Sequence, residues 1–261
     1  MSFSFFHPYG LLIGIGCVIG ILISQHEAAR WKFPAKMIED ALIWIIIPAI
    51  IGARVYHLAT DWQLYNGHPL LDYLAIWNGG LGIFGALAGG ILGLIAFSNA
   101  HKKGVINHAP TKTFFTLLDL LAFGAPFAQA IGRFGNYINS ELYGLPTTLP
   151  WAIKINGVGY HPLFAYESVL MVCVGILLLG LSRNKLLVLG KGQYALVYLY
   201  GYASVRFWLE FLRIQSPRPT GALFFFSYAQ WISLCVMLFS ILLFWIRRHA
   251  HKGVAWESKI W

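Results

Sequence analysis

The chain has 261 residues, of which 58% are hydrophobic and only 11% charged, with a mean hydropathy of +0.64. Soluble domains carry about 25% charged residues, so an ordinary water-soluble fold is excluded and the bilayer is the solvent to consider first. The formal net charge of +9 is distributed between apolar runs rather than pooled, which argues for a membrane-orientation signal and against a nucleic-acid partner.

A helix needs ~20 mostly apolar residues to cross the hydrocarbon, and such stretches fall at 9–25, 41–57, 79–98, 114–132, 163–182, 193–212 and 223–246. These predict an all-α integral membrane protein with seven transmembrane helices. Cations collect after the first, third and fifth spans (Arg30, Lys32, Lys36; Lys102, Lys103, Lys112; Arg183, Lys185, Lys191) and in the tail (Arg247, Arg248, Lys252, Lys259). The opposite connections hold only Arg133, Lys154, Arg213 and Arg218, so the C-terminus is expected in the cytoplasm and the N-terminus outside. No internal repeat stands out, and residues 1–261 read as one domain.

The first span is preceded by no Lys or Arg, the reverse of a cleavable signal peptide. Segment 26–40, with Glu27, Arg30, Lys32, Lys36, Glu39 and Asp40, reads as a cytoplasmic interfacial loop or short helix with solvated charge. Arg54 lies at the outer end of the second span, where another cation would help to form a basic pocket for lipid phosphate. Asn78, Gly79 and Gly80 open the third span; they either break the helix and offer N–H groups to an anion or simply belong to a small-residue packing stripe with Gly89, Gly90 and Gly93.

The fourth span carries Asp119, expected to hydrogen-bond between helices. At its outer end come Arg133, Asn136, Asn139 and Glu141, interleaved with Gly132, Gly135 and Gly144. Two amides, a cation and a carboxylate so close together can orient a polar ligand, although scaffolding of turns would also use Asn and Gly. Residues 133–162 form the long connection, rich in Gly, Asn, Pro and aromatics, and predict a small external cap in which Trp151-Ala152-Ile153-Lys154-Ile155 alternates like a short strand. His161 and Glu167 flank the start of the fifth span as isolated polar groups. In the sixth, Tyr202, Arg206, Glu210 and Arg213 share an arc of about 80° on one helix face. A charge at mid-membrane costs ~2.5–3.5 kcal/mol and therefore faces a partner or a wet cavity; locking helices together is the rival use of the Arg206–Glu210 spacing. Cys17, Cys173 and Cys235 lie in spans without metal-binding spacing, so neither disulfide nor metal is expected.

The run Gly132-Arg133-Phe134-Gly135-Asn136-Tyr137-Ile138-Asn139-Ser140-Glu141-Leu142-Tyr143-Gly144 resembles the signature GRxxN(F/Y)xNxExxG of the bacterial prolipoprotein diacylglyceryl transferases. Tyr9-Gly10-Leu11, Gly52-Ala53-Arg54, Trp77 to Leu81, His161-Pro162, Tyr166-Glu167 and the Tyr202–Arg213 face follow in the family's order. The resemblance implies transfer of the sn-1,2-diacylglyceryl group from phosphatidylglycerol to the lipobox cysteine thiol of preprolipoproteins, with a thioether formed and glycerol 1-phosphate released. It also implies a multi-pass protein of the bacterial cytoplasmic (inner) membrane, its active site toward the outer leaflet, and no cofactor. On this reading Arg133 and Arg206 clamp phosphate with Arg54 in support, and Glu210 orients Arg206. Asn136, Asn139 and Glu141 bind the glycerol head group and shape the cap, while Tyr9 and Tyr202 line the cavity; Gly79, Gly80, Gly144, His161 and Arg213 complete the binding set. Two places depart from the family: Phe84 stands where many members have histidine, and the stretch after His161-Pro162 lacks a small hydroxyl residue and a glutamine. A transporter would instead show repeated halves with paired broken helices, and a CDP-alcohol transferase would need clustered aspartates, whereas Asp40, Asp61, Asp72 and Asp119 are isolated. A silent lipid- or lipoprotein-binding homologue would keep the same residues.

Overall fold

A computed structural model describes residues 8–101, 110–139, 143–214 and 225–249. Among the described residues eight α-helices follow in chain order: α1 (Pro8–Arg30), α2 (Lys36–Thr60), α3 (Leu70–Leu74), α4 (Ile83–Ala100), α5 (Pro110–Ile138), α6 (Leu163–Arg183), α7 (Gln193–Leu209) and α8 (Tyr228–His249). Six of them, α1, α2, α4, α5, α6 and α8, are long and apolar enough to cross a membrane. The expected sixth span is the 17-residue α7, whose helical course continues as a 3₁₀ turn over Glu210–Leu212. Ile43, Ile47, Ile51, Val55, Leu238 and Leu242 among others point outward on these helices, the arrangement that lipid rather than water permits.

The described residues divide into two compact units, 34–117 and the remainder of the chain. In the 34–117 unit, α2 and α4 are held at backbone distance by glycine. A Cβ at Gly85 would collide with the Gly52 carbonyl oxygen, one at Gly89 with that of Pro48, and one at Gly93 with that of Trp44. Small residues here let van der Waals contact replace the hydrophobic drive that lipid removes. Residues 61–82 link the two helices through a 3₁₀ turn at Trp62–Leu64, α3, and a second 3₁₀ turn at Ile76–Asn78.

In the other unit, Gly16 and Gly20 of α1 lie against Ala128 and Gly124 of α5, and α7 packs on α6 and α8. A core of Ala130, Leu163, Met171, Val205 and Leu209 joins α5, α6 and α7. Asp119 of α5 does the structural work expected of it. Its carboxylate accepts the backbone N–H groups of Gly190 (3.0 Å), Gly192 (2.9 Å) and Ala195 (3.0 Å), capping the N-terminus of α7, where unpaired donors and the helix dipole favour an anion.

One local expectation is corrected at a single residue and another is extended. Segment 26–40 is helical on both sides of a short break, with Arg30, Lys32, Lys36 and Glu39 exposed as expected: α1 runs through to Arg30, the left-handed Lys32 (φ 54°) and Pro34 end it, and α2 resumes at Lys36; Glu27 is the exception. Glu27 is fully buried, paired with Arg30 at 2.6 Å and accepting the Ser182 hydroxyl at 2.8 Å. The short strand expected in 151–155 is present as β1 (Ile153–Ile155), and it pairs antiparallel with β2 (Val158–Tyr160) in the register Ile153 to Tyr160, making a hairpin. Asn156 and Gly157 turn it with φ of 50° and 83°, the left-handed pair that a tight two-residue hairpin demands.

Candidate functional site

In the unit that holds residues 118 onward, three arginines stand on two buried carboxylates. Arg133, near the C-terminal end of α5, places Nη2 2.6 Å from Glu167 Oε1 on α6. Glu167 is 5% exposed, whereas the Arg133 side chain is a quarter exposed. On α7, Arg206 Nη2 lies 2.8 Å from Glu210 Oε2, and Arg213 Nη1 lies 3.6 Å from the same oxygen. The other Glu210 oxygen accepts the Ser227 hydroxyl at 3.4 Å. Each carboxylate is desolvated and fixed, and each guanidinium keeps an accessible face. A guanidinium has five N–H donors in a rigid fork, so engaging one or two with a carboxylate leaves others for an anion. Arg133 and Glu167 balance one to one, whereas Arg206 and Arg213 against the single Glu210 leave one positive charge over.

The signature helix is held in place by its own sequence. Phe134 and Tyr137 bracket Phe164 of α6, the latter ring stacked at 4.7 Å. A Cβ at Gly135 would lie 2.6 Å from the Tyr9 ring, so the glycine seats Tyr9 of α1 directly on the signature turn. Asn136 is buried and Asn139 exposed at the end of the helix; Glu141 lies outside the described residues. The rings of Tyr198 and Tyr202, one turn apart on α7, lie 6.5 Å from each other.

Gly144 is where the chain crosses itself. Its N–H donates to the His161 carbonyl (2.8 Å), it bridges to Arg213, and the next residue, Leu145, donates to the Leu212 carbonyl (2.8 Å). A Cβ at Gly144 would come within 2.6 Å of Leu212 O and 2.9 Å of the His161 side chain. The glycine that closes the signature thus lets the backbone at Gly144 and Leu145 pass between His161 on one side and Leu212–Arg213 on the other. The His161 Nδ1 in turn meets the Tyr166 hydroxyl at 3.1 Å, and that hydroxyl accepts the Trp151 indole N–H at 2.8 Å.

In the 34–117 unit, Arg54 is not the open cation that its position suggested. It is 6% exposed and donates to the carbonyls of Tyr73 (2.9 Å), Gly79 (2.9 Å), Gly80 (3.1 Å) and Asp72, and to the Tyr65 hydroxyl (3.3 Å). Backbone carbonyls have claimed its donors, and it staples residues 65–80 to α2. Gly79 and Gly80 do break the chain direction, with φ of 84° and 72°, but they turn carbonyls toward Arg54, and the Gly79 N–H is spent on Ile76 O. An anion cradle at Gly79 is therefore not formed. Phe84 is 54% exposed on the first turn of α4, tilted against Tyr56.

Glu167 is the functional candidate that sequence reasoning left isolated; its partner is 34 positions earlier on another helix, and only an ionisable residue in an apolar setting marks it. A family model described as prolipoprotein diacylglyceryl transferase matches residues 2–246. The chain is 36% identical over 244 residues to phosphatidylglycerol–prolipoprotein diacylglyceryl transferase 1 of Streptomyces coelicolor, covering 90% of this chain and 67% of the relative. It is likewise 36% identical over 259 residues to the phosphatidylglycerol–prolipoprotein diacylglyceryl transferase of Gloeobacter violaceus (95% and 91% covered), and 38% over 218 residues to that of Thermosynechococcus vestitus (80% and 77%).

Proposed function

The chain belongs to the prolipoprotein diacylglyceryl transferase family, and from that membership and the arginine cluster we propose how it works. It is a multi-pass membrane transferase that moves a diacylglyceryl group from phosphatidylglycerol to prolipoproteins. The acceptor is the lipobox cysteine thiol. Its sulfur attacks the glyceryl carbon that bears the phosphate, the carbon–oxygen bond breaks toward phosphorus, and glycerol 1-phosphate departs while a thioether remains. The nucleophile comes from the substrate, so the chain needs no reactive cysteine of its own.

The observation that carries this reading is the pair of buried carboxylates presenting Arg133, Arg206 and Arg213. As the phosphodiester becomes a monoester, negative charge accumulates on the leaving oxygens, and preorganised cations in a water-poor site stabilise that charge more than they stabilise the ground state. Arg133 and Arg206 clamp the phosphate, with Glu167 and Glu210 holding their forks in orientation. Tyr9, Asn136, Asn139, Glu141 and Tyr202 receive the glycerol head group, and the cap that Gly144 and His161 knit together covers it. Arg54, Gly79 and Gly80 shape the protein from within rather than touching phosphate.

Seven of the eight helices, all but the short α3, cross the bacterial cytoplasmic membrane, α7 with its 3₁₀ extension included; the N-terminus and the cap lie outside and the C-terminus inside. The reaction is tested by following head-group release from radiolabelled phosphatidylglycerol. Glycerol phosphate should appear only when a lipobox peptide is present and in equimolar amount to modified peptide. Release that ignores the peptide would mark a phospholipase instead.

A further inference from the structure

The two strands of the hairpin between α5 and α6 are unequally covered. β2 is bonded on both sides. One side meets β1; on the other, the Thr147 N–H donates to the Gly159 carbonyl at 2.8 Å and the His161 N–H to the Leu145 carbonyl at 3.1 Å. Successive residues of a strand turn their backbone groups to opposite sides. Gly159 is turned to residues 145–147, so its cross-strand partner Lys154 turns its own N–H and C=O the other way, to the outer edge of β1. Among the described residues, nothing pairs with them there.

An unpaired edge is a template for another chain, and a lone exposed lysine suffices to guard one that faces only water. This edge faces a wall. A cavity of about 590 Å³ is lined by residues 152–155 on one side and by Tyr137, Ile138 and Tyr143 on the other. Side chains alternate between the two faces of a strand, so a cavity that touches four successive residues runs along the edge. Tyr137 and Ile138, at the end of α5, are 53% and 47% exposed, and the Tyr143 ring leans on Tyr160 at 5.2 Å. The groove thus pairs a row of backbone donor and acceptor with an apolar wall that the hairpin itself does not use.

We propose that the edge of β1 receives the lipobox segment of the prolipoprotein as an added, extended strand, with Tyr137 and Ile138 against its side chains. The proposal rests on the transferase reading and names where its peptide substrate lies. Two observations choose the occupant. Only an extended backbone completes an unpaired edge, which leaves out an acyl chain or a helical partner, and main-chain bonding accepts substrates of many sequences. The groove is also continuous with the arginine cluster in the same unit. Tyr137 stands four residues past Arg133, one turn or about 6 Å along α5. From the other side, β2 leads directly into His161, whose carbonyl takes the Gly144 N–H where Gly144 bridges to Arg213. A peptide on β1 therefore carries its cysteine toward the arginines within a few residues.

Binding is read by fluorescence anisotropy of a labelled lipobox peptide with serine in place of cysteine, and transfer by mass analysis of the cysteine peptide, both with the purified full chain and phosphatidylglycerol. The peptide is N-methylated one residue at a time, which deletes one backbone donor and keeps every side chain. Methylation of the residue that donates to the Lys154 carbonyl should weaken binding about tenfold, and methylation of either neighbour, whose N–H points away, about twofold or less. Lys154→Pro removes the outward N–H and spares the bonds from Ile153 and Ile155 to β2, since the open side of an edge strand admits proline. It should raise the peptide KM about three- to tenfold, with the KM for phosphatidylglycerol and kcat at saturating peptide unchanged. Should that variant fail to fold, the methylation series on the wild-type chain decides alone. Equal penalties along the peptide, or none, would overturn the edge pairing even if transfer proceeds. The alternating penalty with no transfer from the wild-type chain would contradict the transferase reading and leave the docking edge in place.

Discussion

Glu210 serves two arginines with one oxygen, and that decides what each arginine has left to give. Arg206, at 2.8 Å, is the better held, so its free edge is the better aimed. Arg206→Lys keeps the charge and loses the planar fork, so turnover should fall nearly as far as in Arg206→Ala, by roughly 2–4 kcal/mol or about 30- to 1,000-fold. Steady-state rates on a lipobox peptide check this, and a lysine variant with full turnover would remove the clamp. The Arg206–Glu210 pairing was legible because four residues make one helical turn. Arg133–Glu167 was not, because its partners sit on different helices and sequence spacing carries no information about them. Arg54 was misread for a related reason: its acceptors are backbone carbonyls, which every residue owns and no motif announces. Asp119 was readable as structural but not as a helix cap. Asparagine there has one acceptor oxygen for three N–H groups and turns donors toward the rest. Asp119→Asn should therefore lower stability by about 1–3 kcal/mol, seen as a drop in Tm in detergent, while the KM for phosphatidylglycerol stays unchanged.

Elements were legible wherever a long period or a crowded backbone left a mark in the residues. Apolar runs gave the long helices, and the glycines of α4 announced close packing without saying that α2 is the partner. Gly93 faces the Trp44 carbonyl directly, whereas a Cβ at Gly90 would meet only side-chain methyls, Ile45 Cγ2 at 3.5 Å and Ala49 Cβ at 3.8 Å. Gly93→Val should thus cost at least 1–3 kcal/mol, about the usual cost of overpacking, and Gly90→Val should be tolerated; thermal unfolding of the two variants side by side decides it. The hairpin between α5 and α6 was half-legible. Three-residue strands are too short for alternation to prove a pair, and the stronger signal was the Asn156-Gly157 turn, whose two left-handed residues reverse the chain at once. The end of α1 misled because charged residues near a membrane surface read as solvated, while Glu27 is folded inward onto Arg30 and Ser182.

For the whole molecule, charge asymmetry is the sequence feature with the longest reach. It predicts that a cysteine introduced at Gly157, in a background stripped of Cys17, Cys173 and Cys235, reacts with an impermeant reagent on intact cells, while one at Asn184 reacts only after permeabilisation. Both sites are exposed in the structure, so access reports the side of the membrane rather than burial; the opposite pattern would invert the orientation. The signature, the arginine face and the family membership then converge on one reaction, and the missing histidine at Phe84 does not remove it, because a thiol is already a few per cent thiolate at neutral pH. The most direct test is the mass of a lipobox peptide after incubation with purified wild-type protein and phosphatidylglycerol of a single acyl composition. A gain of one diacylglyceryl group on the cysteine, absent when that cysteine is replaced by serine, is the predicted result. An unchanged peptide mass from pH 6 to pH 9, with protein that still binds the lipid, would contradict the account.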